Sequence, residues 1–165
     1  MGTEERVEVL VRYQDMEIRL TGSVDDVIRA FLQFMGRVIP NYELASGLTL
    51  TVDLERLLRG LEGVIAVTPE GMILTIDKER ISERDLILLH LAKTYIGHQL
   101  GRLERDSLFI SNILSLTGGK PSTTAARLSE LVDLDWVERV GRGEYRITTY
   151  GVTQFQDQVL PKIKP

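Results

Sequence analysis

Apolar and polar positions alternate twice at the start of the chain. Val7, Val9 and Val11 are interleaved with Glu8, Leu10 and Arg12, and after Gln14-Asp15 the run Met16-Glu17-Ile18-Arg19-Leu20 alternates again. A period of two is that of a half-buried strand, so the pattern predicts an N-terminal hairpin. The period then lengthens. Val24, Val27, Ile28, Phe31, Leu32, Met35, Val38 and Ile39 recur at helical spacing, giving a helix with a broad apolar stripe that Pro40 stops near Ile39. Ser23, with Asp26 three residues on, reads as its N-cap, and Asp25 and Asp26 suit the positive end of the helix dipole. Tyr42-Glu43-Leu44-Ala45, within the ambiguous stretch Asn41 to Gly47, is either a helical turn or part of a connection. Thr51 is expected to cap a second helix with Leu54, Leu57, Leu58 and Leu61 inward and Gly63 at its end. Val64 to Val67 and Met72 to Ile76 then flank Thr68-Pro69-Glu70-Gly71, whose proline and glycine suit a type I turn. These elements predict an α+β unit over residues 1–80, both hairpins joined in one sheet covered by helices.

Asp77-Lys78-Glu79-Arg80 breaks the pattern with four charges and reads as a domain boundary. Ser82-Glu83-Arg84-Asp85 is a second capping box. It opens a helix with Leu86, Leu88, Leu89, Ala92, Lys93 and Ile96 on a wide face. Gly97 and Gly101 are expected to loosen its end, each costing roughly 1 kcal/mol relative to Ala. A helix from Asp106 to about Leu116 should turn Leu108, Phe109, Ile113 and Leu114 inward. Gly118, Gly119 and Pro121 break the chain, and Ser122 stands as N-cap of a short helix with Thr124, Leu128 and Leu131 on one face. Asp135 tolerates the left-handed conformation that a helix exit needs. Trp136 to Val140 and Tyr145 to Thr148 alternate as strands about the turn Gly141-Arg142-Gly143-Glu144, with Trp136 in the core. The tail, with Phe155, Val159, Leu160 and Ile163, is expected as a last short helix interrupted by Pro161, packing on this module or on a partner chain.

Helix, strand, glycine turn and strand between Thr117 and Gly151 follow the order of a winged helix-turn-helix. The run ARLSELVDLDWVERVGRGEYRITTYG resembles the recognition helix and wing of winged-helix transcription regulators, above all archaeal and bacterial ones. The resemblance implies a winged helix-turn-helix domain over residues 82–165 with a short C-terminal appendix, a DNA-binding regulator of transcription, and double-stranded DNA as partner. By the same resemblance Ser122 and Thr123 match groove-facing positions near the helix start. Arg127 reaches a phosphate or a guanine edge, and Ser129 faces the same side. Arg142 is the wing contact, its flanking glycines letting the backbone approach closely, and Lys120, Arg139 and Arg146 are phosphate partners. The chain departs from the pattern at Ala125 and Ala126, where relatives commonly carry polar or basic side chains. Glu130, Asp133, Glu138 and Glu144 add repulsion toward phosphate. Winged helices also dock proteins, and this acid content keeps a protein–protein interaction module without nucleic acid as the alternative.

Composition narrows the chemistry. A length of 165 residues suits one domain or two small ones, and 43% apolar with 27% charged residues is ordinary for a globular protein. The absence of Cys excludes disulfides, zinc-ribbon sites and thiol nucleophiles. His90 and His98 read as packed or solvated rather than as metal ligands, and no Ser-His pairing is suggested. No catalytic, metal or cofactor set is therefore expected, and the chain is not read as an enzyme. Residues 1–81 carry 9 Lys and Arg against 14 Asp and Glu, while residues 82–165 carry 11 against 10. The acidic N-terminal domain is expected to sense a ligand, bind a protein partner or mediate a homodimer. Dimerisation suits two recognition helices facing successive half-sites. Without an apolar leader or a run of membrane-span length, the expectation is a cytoplasmic protein with no membrane partner.

Overall fold

The computed structural model describes residues 6–38, 48 and 50–165. The chain is α+β and divides into two compact units, Met1–Thr49 and Leu50–Pro165. The expected end of the first helix at Ile39–Pro40 and the ambiguous stretch Asn41 to Gly47 lie outside the described residues.

In the first unit β1 (Val7–Tyr13) and β2 (Met16–Gly22) pair antiparallel across Gln14-Asp15, with Val7 opposite Gly22 and Tyr13 opposite Met16. Gln14 takes a positive φ of 51° to make so short a turn. Helix α1 (Val24–Val38) starts at Ser23, whose Oγ accepts from the Asp26 N–H at 3.2 Å and donates to the Asp26 carboxylate at 2.7 Å. Ser23 thus caps the helix as expected, with the Asp26 carboxylate bonded to its hydroxyl.

The second unit begins with α2 (Leu54–Gly60). Its cap is Asp53, which accepts from the Arg56 N–H at 2.9 Å, and not Thr51, because a carboxylate adjacent to the helix start outcompetes a hydroxyl two residues further out. Strands β3 (Ile65–Thr68) and β4 (Gly71–Leu74) form the expected second hairpin. The two hairpins are separate two-stranded sheets in different units, so the single joined sheet is corrected. Hairpin formation is local, whereas the pairing of one hairpin with another depends on contacts that strand periodicity does not encode. Asp77-Lys78-Glu79-Arg80 forms a single 3-10 turn inside the second unit, capped by the Asp77 carboxylate on the Glu79 N–H at 3.0 Å. The division between units falls before this run, at Thr49.

Helix α3 (Glu83–Gln99) is the axis of the second unit. Ser82 Oγ accepts from the Asp85 N–H at 3.2 Å, as a capping box predicts. Every residue from Leu86 to Ala92 is buried, so the helix is enclosed on all sides rather than along one face. It runs unbroken through Gly97, where a Cβ would come within 2.6 Å of Leu103, so this glycine admits close packing instead of loosening the end. The expected helix from Asp106 begins instead as a strand, β5 (Ser107–Phe109), and becomes helical only in α4 (Ile110–Thr117). Helix α5 (Pro121–Asp133) follows, then β6 (Val137–Gly141) and β7 (Glu144–Ile147). The three strands form one antiparallel sheet in the order β5-β7-β6.

Helical backbone then continues from Thr149 to Ile163 as a single rod: α6 (Thr149–Gln154), a π-helical turn (Phe155–Val159) and α7 (Leu160–Ile163). The widened turn lies just before Pro161, which has no N–H for the Asp157 carbonyl four residues back. Proline therefore alters the helix without ending it. Phe155, Val159 and Leu160 of the rod join Leu57, the Leu86–Ala92 run, Ile113, Leu128, Leu131 and Val152 in one core.

Candidate nucleic-acid interface

Two exposed features flank β6 in sequence: α5 before it and the tip of the β6–β7 hairpin after it. The break before α5 is built from glycine. Gly118 ends α4 in the left-handed region at φ 69°, its N–H returning to the Leu114 carbonyl at 2.9 Å. Gly119 lies so close to the side chains of Glu83 and Thr124 that a Cβ would overlap both. The N-cap of α5 is Lys120, not Ser122, because Pro121 takes the first helical position that proline prefers. Lys120 makes no side-chain cap and the first turn carries no acid. No side chain of α5 itself caps its first-turn N–H groups, and the Glu83 carboxylate of α3, packed against Gly119 and Thr124, lies at that end of the dipole.

The inward face of α5 is Thr124, Leu128 and Leu131, all fully buried as predicted. Thr124 Oγ1 donates to the Glu83 carboxylate at 2.5 Å, tying α5 to the first turn of α3. Pattern reading placed Thr124 on the core face but missed this partner. On the outward face Ser122, Ala125, Ala126 and Ser129 are exposed over the first two turns, and Glu130 and Asp133 over the last. Thr123 is half-buried. Arg127 is also half-buried, its Nη1 lying 2.8 and 3.0 Å from the two carboxylate oxygens of Glu130, so its charge is closed onto the helix itself. The outer face therefore runs from small and cationic at Lys120 to acidic at Asp133.

Asp135 turns the chain out of α5 at φ 59°, and the Trp136 N–H returns to Leu131 at 3.0 Å. Trp136 is buried, with the Arg84 guanidinium 4.8 Å from the ring centroid. The hairpin tip is Gly141-Arg142-Gly143, with Gly143 at φ 70° and its carbonyl accepting from the Ile110 N–H at 2.8 Å. Arg142 is exposed and, among the described residues, forms no ion pair.

The remaining basic positions are held by neighbours. Arg139 donates to the Tyr145 hydroxyl at 2.8 Å and lies 5.3 Å from that ring's centroid. Arg146 sits 2.5 Å from Glu138 and 3.6 Å from Asp106, and the hydrogen bond to Glu138 raises its pKa above the usual arginine value. Glu144 is drawn back onto the sheet by Ser107 Oγ at 2.5 Å and Arg105 at 3.5 Å, which removes much of its charge from the tip. Ser107 escaped sequence reading because a helix was expected from Asp106, and Arg105 because its partner lies 39 residues away. Lys120, Ser122, Ser129 and Arg142 therefore stay open to solvent, while Arg127, Arg139 and Arg146 have protein partners. No protein-family model, curated protein or solved structure matches the chain.

Proposed function

We propose that residues Glu83–Ile147 form a winged helix-turn-helix that docks on duplex DNA and serves a regulator of transcription. The order helix, strand, helix, helix, strand, strand, with the sheet order β5-β7-β6, supports the module. The observation that carries the DNA reading is the polarity of α5. Lys120 at its N-terminus and two turns of small exposed side chains, with its own acids kept to the last turn, are what a helix entering a major groove by its N-terminal end requires. Arg142, exposed at a glycine-flanked tip, fits a backbone contact alongside.

The test is salt dependence. Duplex affinity should fall steeply with salt, with log K dropping by about 0.9 per phosphate contact for each unit of log salt. Arg142→Ala and Lys120→Ala should each weaken all sequences alike and lower that slope by about one. Absence of salt-sensitive duplex binding at about 50 mM salt sinks the reading. A second reading, docking of a protein partner, is favoured by the acidic last turn of α5 and by the engagement of Arg127 and Arg146 with carboxylates. Under it Glu130 and Asp133 face the partner, and Glu130→Lys abolishes complex formation without any duplex binding to lose.

A further inference from the structure

A cavity of about 450 Å³ opens in the second unit between the β3–β4 turn and the end of α3. Its volume falls within the roughly 300–1,000 Å³ of small-ligand pockets. The walls are held by the chain's own hydrogen bonds. Thr68 Oγ1 donates to the Gly71 carbonyl at 2.9 Å and fixes the turn that carries Pro69 and Glu70. On the other side the Arg102 and Leu103 N–H groups both donate to the Gly97 carbonyl, at 2.8 and 3.1 Å, and pin the loop behind α3. Gly97 has no Cβ, so Leu103 and the Met72 thioether lie against the helix there and give the cavity an apolar wall.

The charges of the cavity do not close on one another. Lys93 lines it from α3, half-buried, with its Nζ donating to the Met72 carbonyl at 3.3 Å. Among the described residues neither Lys93 nor Arg102 forms an ion pair with a carboxylate. The charge that acts on Lys93 is instead another cation: burial first, and then Lys78, lowers its pKa. A half-buried ammonium beside a second cation is an unfavourable arrangement, and a bound anion reverses it. The end of α3 offers no free carbonyls in compensation, because the N–H groups of Leu100 to Leu103 cover those of Ile96, Gly97 and His98. We propose that this cavity binds a small amphipathic anion, a single carboxylate on an apolar body. Its carboxylate lies between Lys93 and Arg102, and its body rests on Met72, Leu103 and Pro69. Two cations against the one acid of the wall, Glu70, leave a single positive charge to neutralise, which selects a monoanion over a phosphate dianion.

Titration of the full chain with hexanoate at constant ionic strength, followed by amide chemical shifts, tests this without any nucleic acid. Hexanol, acetate and inorganic phosphate are the controls. Hexanoate should saturate in the low millimolar range, on the order of what about eight non-hydrogen atoms supply, and move the amides of Gly71, Met72, Lys93, Arg102 and Leu103. Hexanol, which lacks the charge, and acetate, which lacks the apolar body, should each bind at least about tenfold more weakly. Lys93→Met and Arg102→Gln should each weaken hexanoate by about tenfold, and Glu70→Gln should tighten it. Lys93→Met should also melt no lower than the wild type, because it removes a cation without a counter-charge. A lower melting point with unchanged hexanoate affinity makes Lys93 a packing residue and overturns its part in the site. If Lys93→Met fails to fold, Arg102→Gln, at an exposed position, carries the test. No saturable shift up to about 50 mM hexanoate overturns the site altogether. Hexanol as tight as hexanoate overturns the role of the cations, and acetate as tight overturns that of the apolar wall. Phosphate tighter than hexanoate overturns the choice of a carboxylate.

Discussion

His90 is only 1% exposed, and neither ring nitrogen has a hydrogen-bond partner in the protein. Burial first, then the charges of Lys93 and Lys78, lowers its pKa from 6.5 to about 4. The folded state holds this imidazole neutral while the unfolded chain protonates it. Stability is therefore fully present above about pH 6.5, is lost as pH falls toward 4, and the loss amounts to on the order of 3 kcal/mol. His90→Leu should flatten urea-unfolding stability across that window, and a variant that keeps the wild-type acid sensitivity refutes the assignment. A second residue-scale expectation concerns Thr124. Thr124→Val keeps the shape but leaves the Glu83 carboxylate without its donor, and should cost about 1–3 kcal/mol in the same measurement. Both side chains were legible only in part. Helical spacing put Thr124 inside, but its partner lies 41 residues away, and spacing carries no information about a contact of that range. His90 read as packed or solvated from its leucine-rich helix, and enclosure of the Leu86–Ala92 run decided between them.

Most elements whose signals are local came through the sequence intact, although the caps expected at Thr51 and Ser122 fell on Asp53 and Lys120. The β1–β2 hairpin, the N-caps at Ser23 and Ser82, the inward face of α5 and the left-handed exit at Asp135 all depend on residues close in sequence. Elements that need a distant partner did not. Strand β5 is three residues long and exists because β7 pairs with it, Leu108 opposite Tyr145, so the helical spacing of Leu108 and Phe109 with Ile113 misled. Candidate site residues followed the same divide: exposure at Ser122, Ser129 and Arg142 was readable, whereas the carboxylate partners of Arg146 depend on sheet register. The first turn of α5, which has no acid of its own, yields a prediction that separates stability from function. Ser122→Asp places an anion in the first turn and should stabilise the helix by about 0.3–1 kcal/mol in thermal unfolding. The same charge should repel phosphate and weaken duplex binding several-fold. Weaker folding, or unchanged duplex affinity, removes α5 from the interface.

For the whole molecule, two units of unequal solidity are joined in one chain. The larger surrounds α3, and no helix among the described residues is long and apolar enough to cross a membrane. Strand periodicity could not distinguish one sheet from two, and the four charges at Asp77–Arg80 marked a surface turn inside a unit.

The passage from β7 into the C-terminal rod leaves no slack. Ile147 ends the strand and Thr149 begins the helix, so Thr148 alone separates them. Its Oγ1 donates to the Asp135 carbonyl at 2.6 Å and accepts from the Gly151 N–H at 2.8 Å, while its own N–H reaches the Trp136 carbonyl at 3.0 Å. Gly151 presses so closely on that carbonyl that any side chain forces the two backbones apart. The far end of the rod is held by Arg56 on Asp157 at 3.1 Å and by Leu160 packed at Gly60. The hairpin root is thereby welded to the start of the rod: neither can shift against the other without breaking the three hydrogen bonds of Thr148.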